Sequence, residues 1–336
     1  MAEALTPFRK LQVGIETTSG TLVAATRQLI GEWNFTEPRE YYRSSYPAGV
    51  NANVGGAGVA TQNASRLEVS TELTFEELIW VLSLGVKGGI TPTTSTDTET
   101  WVFTPEITGI PTIKGATFEV MEFDGVTNHI AREFGYGLVE SFGIEWAAGA
   151  EAKLNYTVFG RASQTTTPTA ALSPMPDREI ALSNRLRVYM NDVYADLGDT
   201  QLTGIVRSAS FNYTGPFAPD YTLDGRTDMD MTKHISGMGY KATLNMVMEL
   251  DATAATIVTD WRDNSLRYFR LSTIGSVIQT TETKDIIIDG AYRFTSDPVY
   301  SDADGVRLVA FDLESVYDTT GTKTLEFTVV NEMATL

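Results

Sequence analysis

Side chains capable of covalent or metal chemistry are sparse in this chain. It has two histidines, His129 and His234, and no cysteine. Cysteine nucleophiles, thiolate metal sites and disulfides are therefore excluded, and two histidines so far apart make a poor zinc set. Neither is accompanied by a Gly-x-Ser-x-Gly elbow. Gly55-Gly56-Ala57-Gly58 lacks the following Lys-Ser/Thr pair of a phosphate cradle. Two carboxylate clusters come nearest to a ligand set. Asp224, Asp228 and Asp230, and the pair Asp302 and Asp304, gather oxygens around a tight turn as calcium loops do. Neither completes such a loop: the glycine of the first is misplaced, and both lack a terminal glutamate. Turn formation is their expected role. Glu76 and Glu77 are expected in the first turn of a helix, favoured by its dipole, rather than as a glycosidase pair. No enzyme activity, metal or cofactor is expected.

What the sequence does repeat is an element. Residues 66–74 alternate apolar and polar side chains and run into Thr74; residues 243–251 do the same and run into Asp251. Leu67, Val69 and Leu73, or Leu244, Met246, Met248 and Leu250, occupy one pleat face. Each cap residue precedes a predicted helix. Around the first, Thr74 and Glu77 form a capping box, Leu73 and Leu78 a staple, and Phe75, Leu78, Ile79 and Leu82 an apolar stripe. The second helix, with Ala254, Ile257, Val258 and Trp261 on one face, lacks the matching acid and is expected to be the weaker.

The remaining long segments read as strands: 28–33, 40–46, 117–123, 138–146, 153–159, 185–189, 205–213, 268–271, 285–294, 306–316 and 323–330. Asp124-Gly125, Asp224-Gly225, Asp289-Gly290 and Asp304-Gly305 are expected turns. Residues 12–26 read as an arm or a hairpin turning near Ser19-Gly20. The Pro-rich, uncharged stretch 163–176 is expected to be an extended linker. The fold class is thus mainly β with α: two tandem β-sandwich or barrel modules, 1–162 and 177–336, each with one flanking helix.

A hydrophobic content of 42% supports real cores, and a net charge of −18, spread over both halves, opposes adhesive binding of phosphate backbones. The opening residues show no apolar leader core, and the most hydrophobic run, 78–86, falls far short of the ~20 residues of a membrane span.

The ordered set of the 14–26 segment, the small-residue loop 47–64, the strand-to-helix unit 66–84, and the strand 137–146 leading into 154–161 resembles the tail tube (major tail) proteins of long-tailed bacteriophages, in a double-domain form. The resemblance implies stacked rings forming a hollow conduit for genomic DNA, part of a virion made in a bacterial cytoplasm. Contacts with tape measure, tail terminator and baseplate proteins would follow. Two modules per chain make a three-chain ring with pseudo-sixfold symmetry the expected closure. Glu68, Glu72 and Glu249, on the polar pleat face, are candidates to line the lumen. Asn51, Asn53, Gly55, Gly56 and Gly58 form a candidate inter-subunit loop. The competing expectation is a secreted or surface β-sandwich that binds carbohydrate, with Tyr41, Tyr42 and Tyr46, or Tyr213 and Phe217, as an aromatic platform. An acidic β-rich hydrolase is a third.

Overall fold

The computed structural model describes residues 8–42, 59–109, 112–123, 128–172, 178–223, 225–229, 239–279, 282–319 and 324–336. The chain is mainly β with two α-helices among these residues. In order, its elements are β1 (Lys10–Ile15), β2 (Arg27–Leu29), β3 (Glu32–Thr36), β4 (Arg39–Tyr42), β5 (Val59–Asn63), β6 (Ser65–Glu72), α1 (Leu78–Gly85), β7 (Thr93–Ser95), β8 (Thr98–Phe103) and β9 (Ala116–Phe123). They continue with β10 (Asn128–Ala147), β11 (Lys153–Gly160), β12 (Gln164–Thr165), β13 (Leu186–Asn191), β14 (Val206–Thr214), β15 (Lys241–Glu249) and α2 (Ala252–Arg262). The last are β16 (Arg267–Val277), β17 (Thr283–Phe294), β18 (Val299–Ala303), β19 (Val306–Ser315) and β20 (Leu325–Asn331).

One order of antiparallel pairing occurs twice. In the first half β3 pairs β6, β6 pairs β11 and β11 pairs β10, while the start of β10 pairs β9 and β9 pairs β1. In the second half β14 pairs β15, β15 pairs β19 and β19 pairs β17, while β17 pairs β16 and β16 pairs β13. The registers also correspond. Leu67 stands between Phe35 and Val158, as Leu244 stands between Phe211 and Leu313. β12 adds to β10 as β20 adds to β17.

β10, with 20 residues, serves two sheets and changes between them at a register shift between Phe134 and Gly137. Tyr136 there has φ 59°. The fully buried Glu16 carboxylate fixes this bend, accepting from Tyr136 N at 2.9 Å, Thr117 Oγ1 at 3.1 Å and Gly20 N. Gly137 is required because any side chain would strike the Phe118 ring. In the second half the same change of direction is made by a break between β17 and β18.

The two halves share a strand pairing. The end of β10 pairs β14, from Ser141 opposite Thr214 to Ala147 opposite Ser208, so the ladder β3–β6–β11–β10–β14–β15–β19–β18 is continuous. β20 lies between β17 and β8, with Phe327 opposite Phe103. Part of the expected linker is also bound: Gln164–Thr165 forms β12, and Thr169 donates its N–H and hydroxyl to Glu119 at 2.8 and 2.7 Å.

The helices differ from expectation. Thr74 Oγ1 accepts the Glu77 N–H at 3.1 Å, but the Glu77 carboxylate accepts from Ile30 N at 3.1 Å instead of returning to the cap. All eight residues of α1 are buried, so it has no solvent side. α2, expected to be the weaker, is the longer at 11 residues, with the Asp251 carboxylate accepting Ala254 N at 2.8 Å. Asp289-Gly290 is no turn: both lie within β17, where Asp289 holds the Arg270 guanidinium with two hydrogen bonds of 2.7 and 2.8 Å.

Glu76 and Glu77 are buried as well, at the seam between halves. Lys284 of β17 reaches Glu76 at 2.6 Å, with Glu332 at 3.5 Å and Glu179 at 3.9 Å. Burial drags the Lys284 ammonium down, but those three carboxylates outweigh it and hold it charged. Burial pushes Glu76 up against the same lysine, and pushes Glu77 up to about 7 despite Arg178 at 3.7 Å. Phe75 completes the seam. It is fully buried, its ring packs on Gly275, and its carbonyl accepts from Asn331 Nδ2 at 2.8 Å.

Two outcomes follow from this seam. Phe75→Ala is expected to cost about 3–5 kcal/mol in urea unfolding and to leave a single transition; two transitions, only one of them shifted, would show independent halves. Glu77 titrates at a higher pH folded than unfolded. Its contribution is therefore fully present below pH 4.5 and lost as pH rises through about 7. Unfolding free energy should decline between those limits by up to ~3 kcal/mol from this group. Glu77→Gln should flatten the slope; an unchanged slope in the variant would assign it elsewhere.

Candidate functional site

Strict alternation gives the continuous sheet one apolar and one polar face. In β6, Leu67 and Val69 are buried while Glu68, Ser70 and Glu72 point the other way. In β15, Ala242, Leu244, Met246 and Met248 are buried, whereas Thr243, Asn245, Val247 and Glu249 share the opposite face. Glu68, Glu72 and Glu249 therefore lie on one polar face that crosses both halves. Glu68 lines an open trough of about 840 Å³ on that face, with Glu32, Asn34, Ser70, Glu145, Asn155 and Asn212 among its walls.

The acids of this face are interspersed with bases. Arg66 reaches Glu140 at 2.9 Å and Glu68 at 3.5 Å, Lys241 reaches Glu314 at 3.3 Å, and Arg207 pairs with Glu249. Lys153 is placed by register between Glu72 and Glu145. Amides and hydroxyls fill the rest: Ser70 Oγ donates to Asn155 Oδ1 at 2.7 Å, and Asn245 Nδ2 donates to Asp312. The result is a mildly acidic surface rich in amides and hydroxyls, and among the described residues it gathers no group of three potential metal ligands.

Among the described residues the ladder ends in two edges, β3 and β18. The junction inside the chain shows how such edges can meet. β14 corresponds to β3, since Phe211 and Phe35 face Leu244 and Leu67, and Ala209 and Trp33 face Met246 and Val69. The end of β10 corresponds to β18, since Ile144 and Tyr300 face Leu154 and Val309 of the matching strands. Ile144 is paired with Phe211 and Trp146 with Ala209. By the same register, Tyr300 of one copy would face Phe35 of another, and Asp302 would face Trp33. The hydrogen-bonding phase agrees. Asp304 and Gly305, at φ 52° and 79°, close the β18–β19 hairpin next to the Ala303–Val306 pair. Alternation then turns the main-chain groups of Asp302 and Tyr300 outward. The Trp33 carbonyl is also reached from outside the sheet, by Arg9 Nη2 at 2.7 Å.

Several expected sites are moved or lost. Tyr213 and Phe217 are buried, so they offer no platform; Tyr41 and Tyr42 are exposed on the β4–β5 hairpin. Asp302 pairs with Arg307 at 2.9 Å, and no group of three potential metal ligands exists among the described residues. His129 is an exposed residue at the start of β10. His234, Asp224, Asp230, Tyr46 and the loop residues Asn51, Asn53, Gly55, Gly56 and Gly58 lie outside the described residues. Sequence reasoning missed β18 and Arg9; the first carries only a short run, Val299-Tyr300-Ser301, ahead of the hairpin turn at Asp304-Gly305. In comparisons with known proteins, no family model and no curated protein matches the chain.

Proposed function

We propose that this chain is a structural subunit that closes into three-chain rings and stacks into a hollow tube, its polar sheet face turned to a lumen through which DNA passes. The observation that carries the reading is the β10–β14 junction: one end-strand of the four-stranded unit already pairs with the first strand of the next unit, and the free strands β18 and β3 match that junction in register and hydrogen-bonding phase. Each chain supplies two units, and repetition of one heterologous contact closes a ring when the rotation allows it. Two edges left unpaired among the described residues are otherwise a liability. A mildly acidic, amide-rich wall suits non-adhesive passage of a polyanion, because few phosphates find a cation that is not already beside a carboxylate. The trough then belongs to the lumen wall and not to an active site.

The absence of native cysteine makes a direct test possible. Asn34→Cys and Ser301→Cys, combined in one chain, would stand opposite each other at a non-hydrogen-bonded pair, within disulfide reach. Oxidation should yield a covalent ladder that stops at three chains, while either single variant yields none. No crosslink overturns edge pairing, and a ladder running beyond three overturns the ring size. Separately, lysine at positions 68, 72 and 249 together should make assembled tubes retain duplex DNA at low salt and release it at high salt. Unchanged DNA behaviour would remove these residues from the wall.

A further inference from the structure

Arg9, immediately before β1, extends across the β3 edge and is held there by three contacts. Its Nη2 donates to the Trp33 carbonyl at 2.7 Å, its guanidinium carbon lies 3.8 Å above the Trp33 ring, and its Nε pairs with Glu122 of β9 at 3.1 Å. Only the first of these uses a group that sheet extension needs. At the corresponding position of the second half, Ala209 is covered by Trp146 of β10. In the free protomer a side chain thus occupies the place where an incoming strand would donate.

We propose that Arg9 is a reversible guard of the β3 edge, which caps the Trp33 carbonyl in the free protomer and is displaced when β18 of a second copy pairs there. This rests on the edge-pairing reading above and adds its regulation. A guanidinium suits the task because its planar fork can hold a carbonyl, a carboxylate and an aromatic face together. The guard is also removable. Arg9 and Glu122 keep 25% and 31% of their side-chain surface exposed, so solvent can receive the released charge. The replacement is prepared on the other edge. Val299 and Tyr300 are exposed in the free protomer and would arrive beside Thr36 and Phe35, while the Asp302 N–H would take over the Trp33 carbonyl. Charged residues on edge strands are a recognised means of blocking unwanted pairing; here the block sits on the edge that assembly uses.

The test measures disulfide capture between Asn34→Cys and Ser301→Cys in three backgrounds: otherwise native, Arg9→Gln and Glu122→Gln. If Arg9 guards the edge, Arg9→Gln should reach half-maximal capture at about tenfold lower protein concentration, equivalent to one strong hydrogen bond no longer broken on assembly. Glu122→Gln, which loosens Arg9 without removing it, should shift capture in the same direction by a smaller factor. It also keeps the test valid should Arg9→Gln fold poorly, because its own melting temperature can be matched to the parent. Equal or slower capture in both variants overturns the guard while leaving edge pairing intact. Capture in no background overturns edge pairing and the guard with it. Arg9 as mere packing predicts a lower melting temperature and no gain in capture.

Discussion

The main-chain ladder is the interaction on which the rest depends. Each strand of an antiparallel sheet needs a neighbour for its outward N–H and C=O groups, and the chain answers that need differently along its length. Between halves, β10 and β14 satisfy each other, which converts two similar units into one sheet. At β20 the last strand is placed between β17 and β8, so the second half completes a pairing of the first. At β3 and β18 no second strand pairs among the described residues. The Arg9 contact with the Trp33 carbonyl is a local response to that condition at β3.

This constraint explains why the two copies of one element diverged. α1 lies against the seam, packed on β10, and all eight of its residues are buried, Ser83 being the one polar side chain among them. α2 lies where only one face is covered, and retains the amphipathic pattern with Ala254 and Ile257 inward and Thr256 and Thr259 outward. Acids placed at the start of each helix inherit the same difference. Asp251 is a plain cap. Glu76 and Glu77, enclosed by the seam, act as counter-ions to Lys284 and Arg178, with one carboxyl poised near neutrality.

Period-two alternation made most of the fold legible. The repeated strands, the polar placement of Glu68, Glu72 and Glu249, and the Asp251 cap were all readable because each depends on a few adjacent residues. What escaped depends on partners distant in sequence. The Glu77 carboxylate was drawn to Ile30 rather than to its own cap, and Asp289-Gly290 stayed in a strand because Arg270 holds the aspartate. Tyr213 looked available in the sequence but stacks on Phe142, with ring centroids 5.1 Å apart. The edge strand β18 escaped for another reason: all five of its residues are exposed, so no alternation of buried and exposed positions marks it.

The charge pattern of the polar face bears on how the proposed lumen wall would treat DNA. Strong net repulsion would keep a polyanion centred, but it would also destabilise the wall by setting like charges side by side. The chain takes a middle course. Along the sheet, Arg66, Lys153, Arg207 and Lys241 each sit within reach or register of one or more carboxylates, and Asn34, Ser70, Asn155, Asn212 and Asn245 separate the clusters. Each cation thereby has a carboxylate of the same face beside it, which lowers what a phosphate could gain by approaching. At about 8 Å of screening in physiological salt, the local pairing of each base matters more than the overall charge of −18. Low adhesion would then come from neutralised cations, with the excess of acids as a secondary contribution.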